Sequence, residues 1–170
     1  QKIGNEIELA LEIVKKANSE YWWSSGFKDK LEVEGHAIFM RFGTPLTRIT
    51  TCPPPREIFD QTLISLRKIH DAGYCHRDLR DTNIILLDGS YQLIDFDFCE
   101  KCDEETVEDC GESGRTKYLP IHASHQRQQA MGKGSVTYKY RWTKADDVEM
   151  LARSLFLPEE SGSKGEENCC

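Results

Sequence analysis

No run of about twenty apolar residues occurs in the 170-residue chain, and its hydrophobic residues come in short groups, so no membrane-spanning helix is expected. A surplus of positive charge is also missing: 22 Lys and Arg stand against 29 Asp and Glu, for a net charge of -7. Polyphosphate backbones require clustered cations, so no nucleic-acid partner is expected. No internal repeat is present. Gln1 is not an initiator methionine and no basic-then-apolar leader follows it, which leads us to expect a chain cut from something longer. Seven cysteines is an odd number, and a chain of this size does not need a disulfide framework. Free thiols in a reducing compartment, cytoplasmic or nuclear, are therefore expected.

What is present fits one domain with a real core: 38% hydrophobic and 30% charged residues lie in the ordinary globular range. The charge is uneven. Seven acids stand against Lys101 between Glu100 and Glu112, and seven Lys or Arg with no acid lie between Arg115 and Lys144. The basic stretch either neutralises the neighbouring acids, the simpler reading, or recognises an acidic substrate.

Periodicity predicts an amphipathic helix over residues 5–17, with Ile7, Leu11 and Val14 on one face. Two short strands, "LEV" and "HAIFMRF", follow it. The triple proline at 53–55 precedes a second helix, whose face carries Ile58, Phe59, Thr62, Leu63, Leu66 and Ile69 and which stops at Gly73. Next, "NIILLDGSYQLIDFDF" reads as a hairpin turning at Asp88-Gly89-Ser90. Residues 99–114 are acidic and poor in large apolar side chains, so a mobile segment is expected there. "TKADDVEMLARSLFL" resumes helical spacing at Val148, Leu151 and Leu155, and the tail from 158 reads as disordered.

Between the second helix and the hairpin lies "HRDLRDTN", His76 to Asn83, and Asp95-Phe96-Asp97 begins twelve residues after Asn83. With "TKADDVEMLARSLF", this order resembles the catalytic core of the eukaryotic protein-kinase-like superfamily. In its later motifs, "GRTKYLPIHASH" and "TKADDVEML", it is similar to casein-kinase-one-like and vaccinia-related kinases. The resemblance implies an α+β fold, a mostly helical C-lobe with a partial N-lobe made of one helix and two strands. Residues 1–42 would be the partial N-lobe and hinge, 43–157 the C-lobe core, and 158–170 the tail.

It also implies ATP- and Mg²⁺-dependent phosphoryl transfer to Ser or Thr of a protein substrate. That reaction needs a carboxylate beside the incoming hydroxyl, oxygen ligands for a hard cation, and positive charge near the phosphates. By resemblance, Asp78 takes the hydroxyl proton, Asn83 and Asp95 hold the metal, and Arg80 contacts the transferring phosphate. His76 reads as structural, packed inward on a backbone hydrogen bond. Arg77 would grip the activation segment, where Glu or Asp side chains stand in for a phosphate, although Thr106 is open to modification. Asp147, or alternatively Asp146, would brace the loop. Met40, Arg41 and Phe42 would meet the adenine through backbone groups, and Glu6, or else Glu8 or Glu12, would pair with an ATP-binding lysine.

Departures from the pattern keep alternatives open. No "GxGxxG" loop or strand lysine precedes the first helix, and the C-lobe helices usual after residue 157 are missing, so the resemblance implies truncation at both ends or a pseudokinase scaffold. Asp97 replaces a glycine, a feature shared with small-molecule phosphotransferases of the superfamily. Cys99, Cys102, Cys110, His122 and His125 form a rival zinc set of poor spacing.

Overall fold

The computed structural model describes residues 43–51, 53–96, 98–111 and 116–157. The predicted first helix, the two strands before residue 43, Asp97 and the tail fall outside them.

Helix α1 (Pro55–Asp71) starts with Pro55 in its first turn, where the missing N–H is not needed. Ile58, Thr62, Leu66, Ile69 and His70 form its buried face. Gly73, at φ 93°, takes the left-handed conformation that ends the helix and returns the chain toward the core. After the two-residue strand β2 (Tyr74–Cys75) and the polar loop, β3 (Ile84–Leu87) and β4 (Ser90–Leu93) pair antiparallel, with Ile84 opposite Leu93 and Leu87 opposite Ser90. Asp88 and Gly89 both have positive φ, 50° and 77°, the hand that a two-residue turn needs to match strand twist. Ser90 already belongs to β4, so the turn is one residue tighter than the sequence suggests.

Strand β1 (Thr44–Pro45) lies on the outer edge of this hairpin, where proline removes no ladder bond needed elsewhere. Gly43, just before it, has no room for a side chain. A β-carbon there would lie 2.8 Å from Ile85 Cδ1 and 3.0 Å from the Leu86 carbonyl oxygen. Gly43→Ala should therefore push β1 off the hairpin and cost roughly 1–3 kcal/mol in urea unfolding. An unchanged midpoint would contradict that packing.

Two apolar clusters hold the described residues together. The larger joins α1, the hairpin and α3 (Lys144–Phe156) through Leu66, Ile69, Ile84, Leu93, Met150 and Leu151. The smaller gathers Cys75, Cys110, Leu119, Ala123, Tyr140 and Trp142 beneath α2 (Ile121–Gly132) and β7 (Thr137–Arg141). Helix α3 opens with a capping box: Thr143 Oγ1 accepts from the Asp146 N–H and the Asp146 carboxylate accepts from the Thr143 N–H. Among the described residues no helix is long and apolar enough to cross a membrane.

The expected mobile segment is in fact folded over residues 99–111. Strand β5 (Glu100–Lys101) pairs with β2, and β6 (Glu105–Asp109) pairs with β7 along its whole length. The strand is hard to see in sequence because its inward position is filled by an acid, Glu108, while Val107 points out and is 68% exposed. The apolar anchors on either side are cysteines: Cys99 and Cys110 are buried free thiols. Opposite charges meet across the ribbon, as Lys139 Nζ lies 2.8 Å from Glu105 Oε1. The basic stretch thus neutralises its acidic neighbour at this pair.

A second correction concerns the thiols. Cys75 and Cys102 form a disulfide, their Cα atoms 5.2 Å apart, where free cysteines were expected. The bond also removes Cys102 from the rival zinc set, and His122 and His125 sit on the exposed face of α2. Among the described residues no cluster of three or more metal-ligating side chains occurs.

Candidate active site

The loop from His76 to Arg80 has no regular structure of its own, so its shape is set by what holds its backbone. Asp147, one turn into α3 and fully buried, is that support. Its Oδ2 accepts from the His76 N–H at 2.7 Å and from His70 Nε2 at 2.8 Å, and its Oδ1 accepts from the Arg77 N–H at 2.8 Å. The neighbouring Asp146 does something else: it caps α3 and accepts from the Tyr140 hydroxyl at 2.8 Å. Of the two candidates for the brace, the geometry selects Asp147. Burial pushes the Tyr140 hydroxyl well above its ordinary pKa, and the Asp146 hydrogen bond adds to the shift, so it remains a donor at every physiological pH.

Arg77 has φ 68°, a left-handed conformation that a non-glycine residue adopts only when its surroundings hold it there. Three contacts do so: the Asp147 bond to its N–H, an ion pair from its guanidinium to Glu108, and the face of Trp142 at 5.2 Å. Glu108 Oε1 accepts also from Trp142 Nε1 at 3.1 Å and from Thr106 Oγ1 at 2.5 Å. The acid expected somewhere in residues 100–112 is thus Glu108.

His76 is fully buried and turned inward, as expected. Its Nε2 lies 3.2 Å from the Ile94 carbonyl, so that nitrogen must carry the proton, and Nδ1 is left to accept from the Asp78 N–H at 3.3 Å. Protonating Nδ1 would break the second bond. Burial pushes the imidazole below its ordinary 6.5, against the opposing pull of Asp147, Asp78, the Ile94 carbonyl and Asp95. Folded protein therefore keeps His76 neutral while unfolded chain takes up a proton. This contribution to stability is complete above about pH 6.5 and is lost as pH falls below it toward the lower folded-state value. Urea unfolding at about pH 7.5 and about pH 5.5 should show the loss, and a non-titrating His76→Gln variant should show a shallower one. Equal slopes would overturn the assignment.

Asp78 is fully buried at the base of the site. Its Oδ2 is held by Asn83 Nδ2 at 2.8 Å and Arg80 Nη2 at 3.0 Å, while its Oδ1 has no hydrogen-bond partner among the described residues. Asn83 Nδ2 also donates to the Asp78 carbonyl at 2.9 Å. With its nitrogen spent twice on Asp78, the Asn83 amide presents its oxygen, which among the described residues accepts from the Thr82 hydroxyl at 3.4 Å. Asp78, Arg80 and Asn83 are thus one contact network.

Asp95 joins this network through the hairpin register. Ile94 N–H donates to the Asn83 carbonyl at 3.0 Å, and the Ile94 carbonyl accepts from His76, so both sides of that residue are tied to the loop. Asp95 follows directly, half-buried, with φ 68°. Its carboxylate and that of Asp78 both act electrostatically on the His76 imidazole. The proposed nucleotide contacts, Met40, Arg41, Phe42 and Glu6, lie outside the described residues.

Sequence reasoning missed His70 and Trp142. His70 was legible: it extends the four-residue step Thr62, Leu66, His70, which puts it on the buried face of α1. Trp142, fully buried between β7 and the cap of α3, carries no local pattern that would reveal its contact with Arg77.

The fold is α+β, with a buried aspartate, a cation and an amide gathered beside a hairpin, and residues 44–120 match the model of the protein kinase domain. Among curated proteins, the chain is similar to serine/threonine-protein kinase STE20 of Debaryomyces hansenii, 42% identical over 45 residues, which cover 26% of this chain and 4% of that protein. It is also similar to serine/threonine-protein kinase shk1/pak1 of Schizosaccharomyces pombe, 38% identical over 71 residues, covering 38% of this chain and 11% of that protein. The matched region is thus a small part of each relative.

Proposed function

We propose that these residues form the catalytic lobe of an ATP- and Mg²⁺-dependent protein kinase acting on Ser or Thr hydroxyls. One observation carries the reading: Asp78 is buried with one carboxylate oxygen fixed by Arg80 and Asn83 and the other left without a hydrogen-bond partner among the described residues. An acceptor held this way can take a proton from an incoming hydroxyl without reorganising. The chemistry of the donors fits a magnesium ion, since Asn83 offers an amide oxygen and Asp95 a carboxylate, the hard ligands that ion prefers. When bound, the ion would offset charge on the phosphates of ATP. Arg80, ion-paired to Asp78, would add positive charge on the same side.

The match to the kinase domain and the serine/threonine-kinase names of the relatives support a protein substrate. The likeness to casein-kinase-one-like and vaccinia-related kinases rests on the motifs around residues 114–125 and 143–151. Labelled γ-phosphate, offered with the full-length protein to generic protein and to small hydroxylated molecules, tests the proposal. Phosphoserine or phosphothreonine is the expected product. Label in the small molecules instead would favour a small-molecule phosphotransferase, and label in neither a scaffold.

The buried Arg77–Glu108 pair supports a site assembled without phosphorylation of the segment, because a carboxylate already occupies the place beside the guanidinium. Protein free of phosphate on Thr106 should then be active. Glu108→Gln keeps the shape but removes the charge, and should cost about 2 kcal/mol of stability and lower turnover together. Activity that appears only after Thr106 is phosphorylated would overturn this.

A further inference from the structure

The Cys75–Cys102 disulfide encloses the whole candidate site in one covalent loop. The bond spans 27 residues of sequence, and Asp78, Arg80, Asn83 and Asp95 all lie between its two ends. Cys75 immediately precedes His76, whose imidazole positions Asp78, and Cys102 lies seven residues beyond Asp95.

Little else fastens these two ends to each other. Strands β2 and β5 pair over only Tyr74–Lys101 and Cys75–Glu100, with one further bond from the Cys102 N–H to the Gly73 carbonyl at 3.0 Å. Both strands are two residues long, and the backbone of the strands that follow, β6 and β7, pairs within its own ribbon, so beyond the ladder the segment meets the loop through side chains, Cys99 Sγ on the His76 carbonyl at 3.7 Å and Glu108 on Arg77. A short ladder at a chain crossing opens locally far more easily than a core strand.

From this we infer that the Cys75–Cys102 pair is a redox clamp on the catalytic loop: the disulfide holds the site in its competent arrangement, and reduction loosens it. The inference rests on the kinase reading for its effect on activity, but not for the clamp itself. In a reducing compartment a bond of this kind is transient and redox-sensing rather than a permanent staple.

The two sulfurs differ in access. Cys75 is fully buried, whereas Cys102 is partly exposed, so a small dithiol reaches the Cys102 sulfur first. Its thiolate forms a mixed disulfide with Cys102 and expels Cys75 as a thiolate, which takes up a proton. The second thiol of the reductant then displaces Cys102. The reductant leaves as a disulfide, having supplied two electrons and two protons, and the protein holds two thiols. The ends of the loop are then joined by the short β2–β5 ladder and the Cys102 N–H bond to the Gly73 carbonyl. Asp95 keeps its tie to the loop through Ile94, but the stretch that leads from it into β5 is less firmly held, and the expected consequence is weaker use of metal-bound nucleotide.

The test uses the full-length protein in two redox buffers, one oxidising and one containing a dithiol. Peptide mapping after alkylation should recover a Cys75–Cys102 cross-linked pair only in the first. Amide exchange over residues 99–103 should be roughly tenfold faster in the second. A Cys102→Ser variant should exchange fast in both. Phosphoryl transfer by the unsubstituted protein should fall several-fold on reduction, mainly through a higher KM for Mg²⁺-ATP, while the variant should be insensitive to redox buffer. Absence of the cross-link in the oxidising buffer, or exchange that does not respond to reduction, would overturn the clamp. If cross-link and exchange behave as expected but no transfer occurs in either buffer, the clamp stands and the kinase reading falls. Transfer that is equal in both buffers despite the exchange change would overturn its link to activity.

Discussion

Replacing Asp78 with asparagine should lower turnover of the full-length protein by about a hundred- to ten-thousandfold while leaving it folded. The substitution keeps the size of a side chain that is fully buried, so no cavity is made. It removes the only feature the proposed chemistry requires, a carboxylate oxygen that can accept a proton. Arg80 and Asn83 both donate to the same oxygen, Oδ2, so the asparagine can keep its carbonyl oxygen there and turn its N–H₂ to the side without a partner among the described residues. The loss should appear in kcat rather than in KM for nucleotide, since Asp78 is not among the residues proposed to hold it. Steady-state assays of purified Asp78→Asn, with thermal unfolding as the fold control, check this. A variant that retains more than about a tenth of wild-type turnover would exclude Asp78 as the base.

The second large effect should come from a residue that touches no substrate. Asp147→Ala removes three hydrogen bonds at once, those its two oxygens accept from His76 N–H, Arg77 N–H and His70 Nε2, all of them buried. Each donor would be left without a partner away from water, and Arg77 would lose one of the contacts that hold its left-handed backbone. A cost of about 3–5 kcal/mol is expected, together with a fall in turnover, because the loop that presents Asp78 is shaped by these bonds. Asp147→Asn should recover only part of it: every group that approaches Asp147 is a donor, and an amide nitrogen cannot accept. Urea unfolding of both variants gives the comparison. A cost below about 1 kcal/mol for the alanine variant would mean the loop is shaped by something else.

Where the fold was legible, periodicity and turn chemistry carried it. The proline-led start and glycine stop of α1 and the Asp88-Gly89 turn fix those elements with no knowledge of the rest of the chain. The candidate catalytic loop was legible for a different reason: its polar residues stand at fixed spacing between two apolar elements, and the structure brings Asp78, Arg80 and Asn83 into direct contact. Asp147 could be narrowed to two adjacent aspartates but not to one. The choice depends on which of them turns inward, and that follows from the helical phase set by the Thr143 cap.

Residues 99–111 defeated the sequence reading because β6 contradicts the usual pattern. Its inward-facing residue is an acid and its outward-facing residue a valine, so hydrophobic alternation runs in the wrong sense. Burial of that carboxylate is made tolerable by partners distant in sequence, an arginine 31 positions earlier and Trp142, together with Thr106. The disulfide was missed on similar grounds. Nothing local to Cys75 or Cys102 marks them as neighbours, and counting cysteines argued for free thiols; their proximity follows from the β2–β5 pairing.

The central claim is that Asp78, Asn83 and Asp95 surround one metal-bound phosphate. It is tested most directly by crystals of the full-length protein grown with Mn²⁺ and a non-hydrolysable ATP analogue, in which anomalous scattering locates the metal. The account predicts a strong peak held by the Asn83 amide oxygen and the Asp95 carboxylate, with the nucleotide's phosphates beside Asp78. Manganese held elsewhere in the protein, or touching neither side chain, would contradict it.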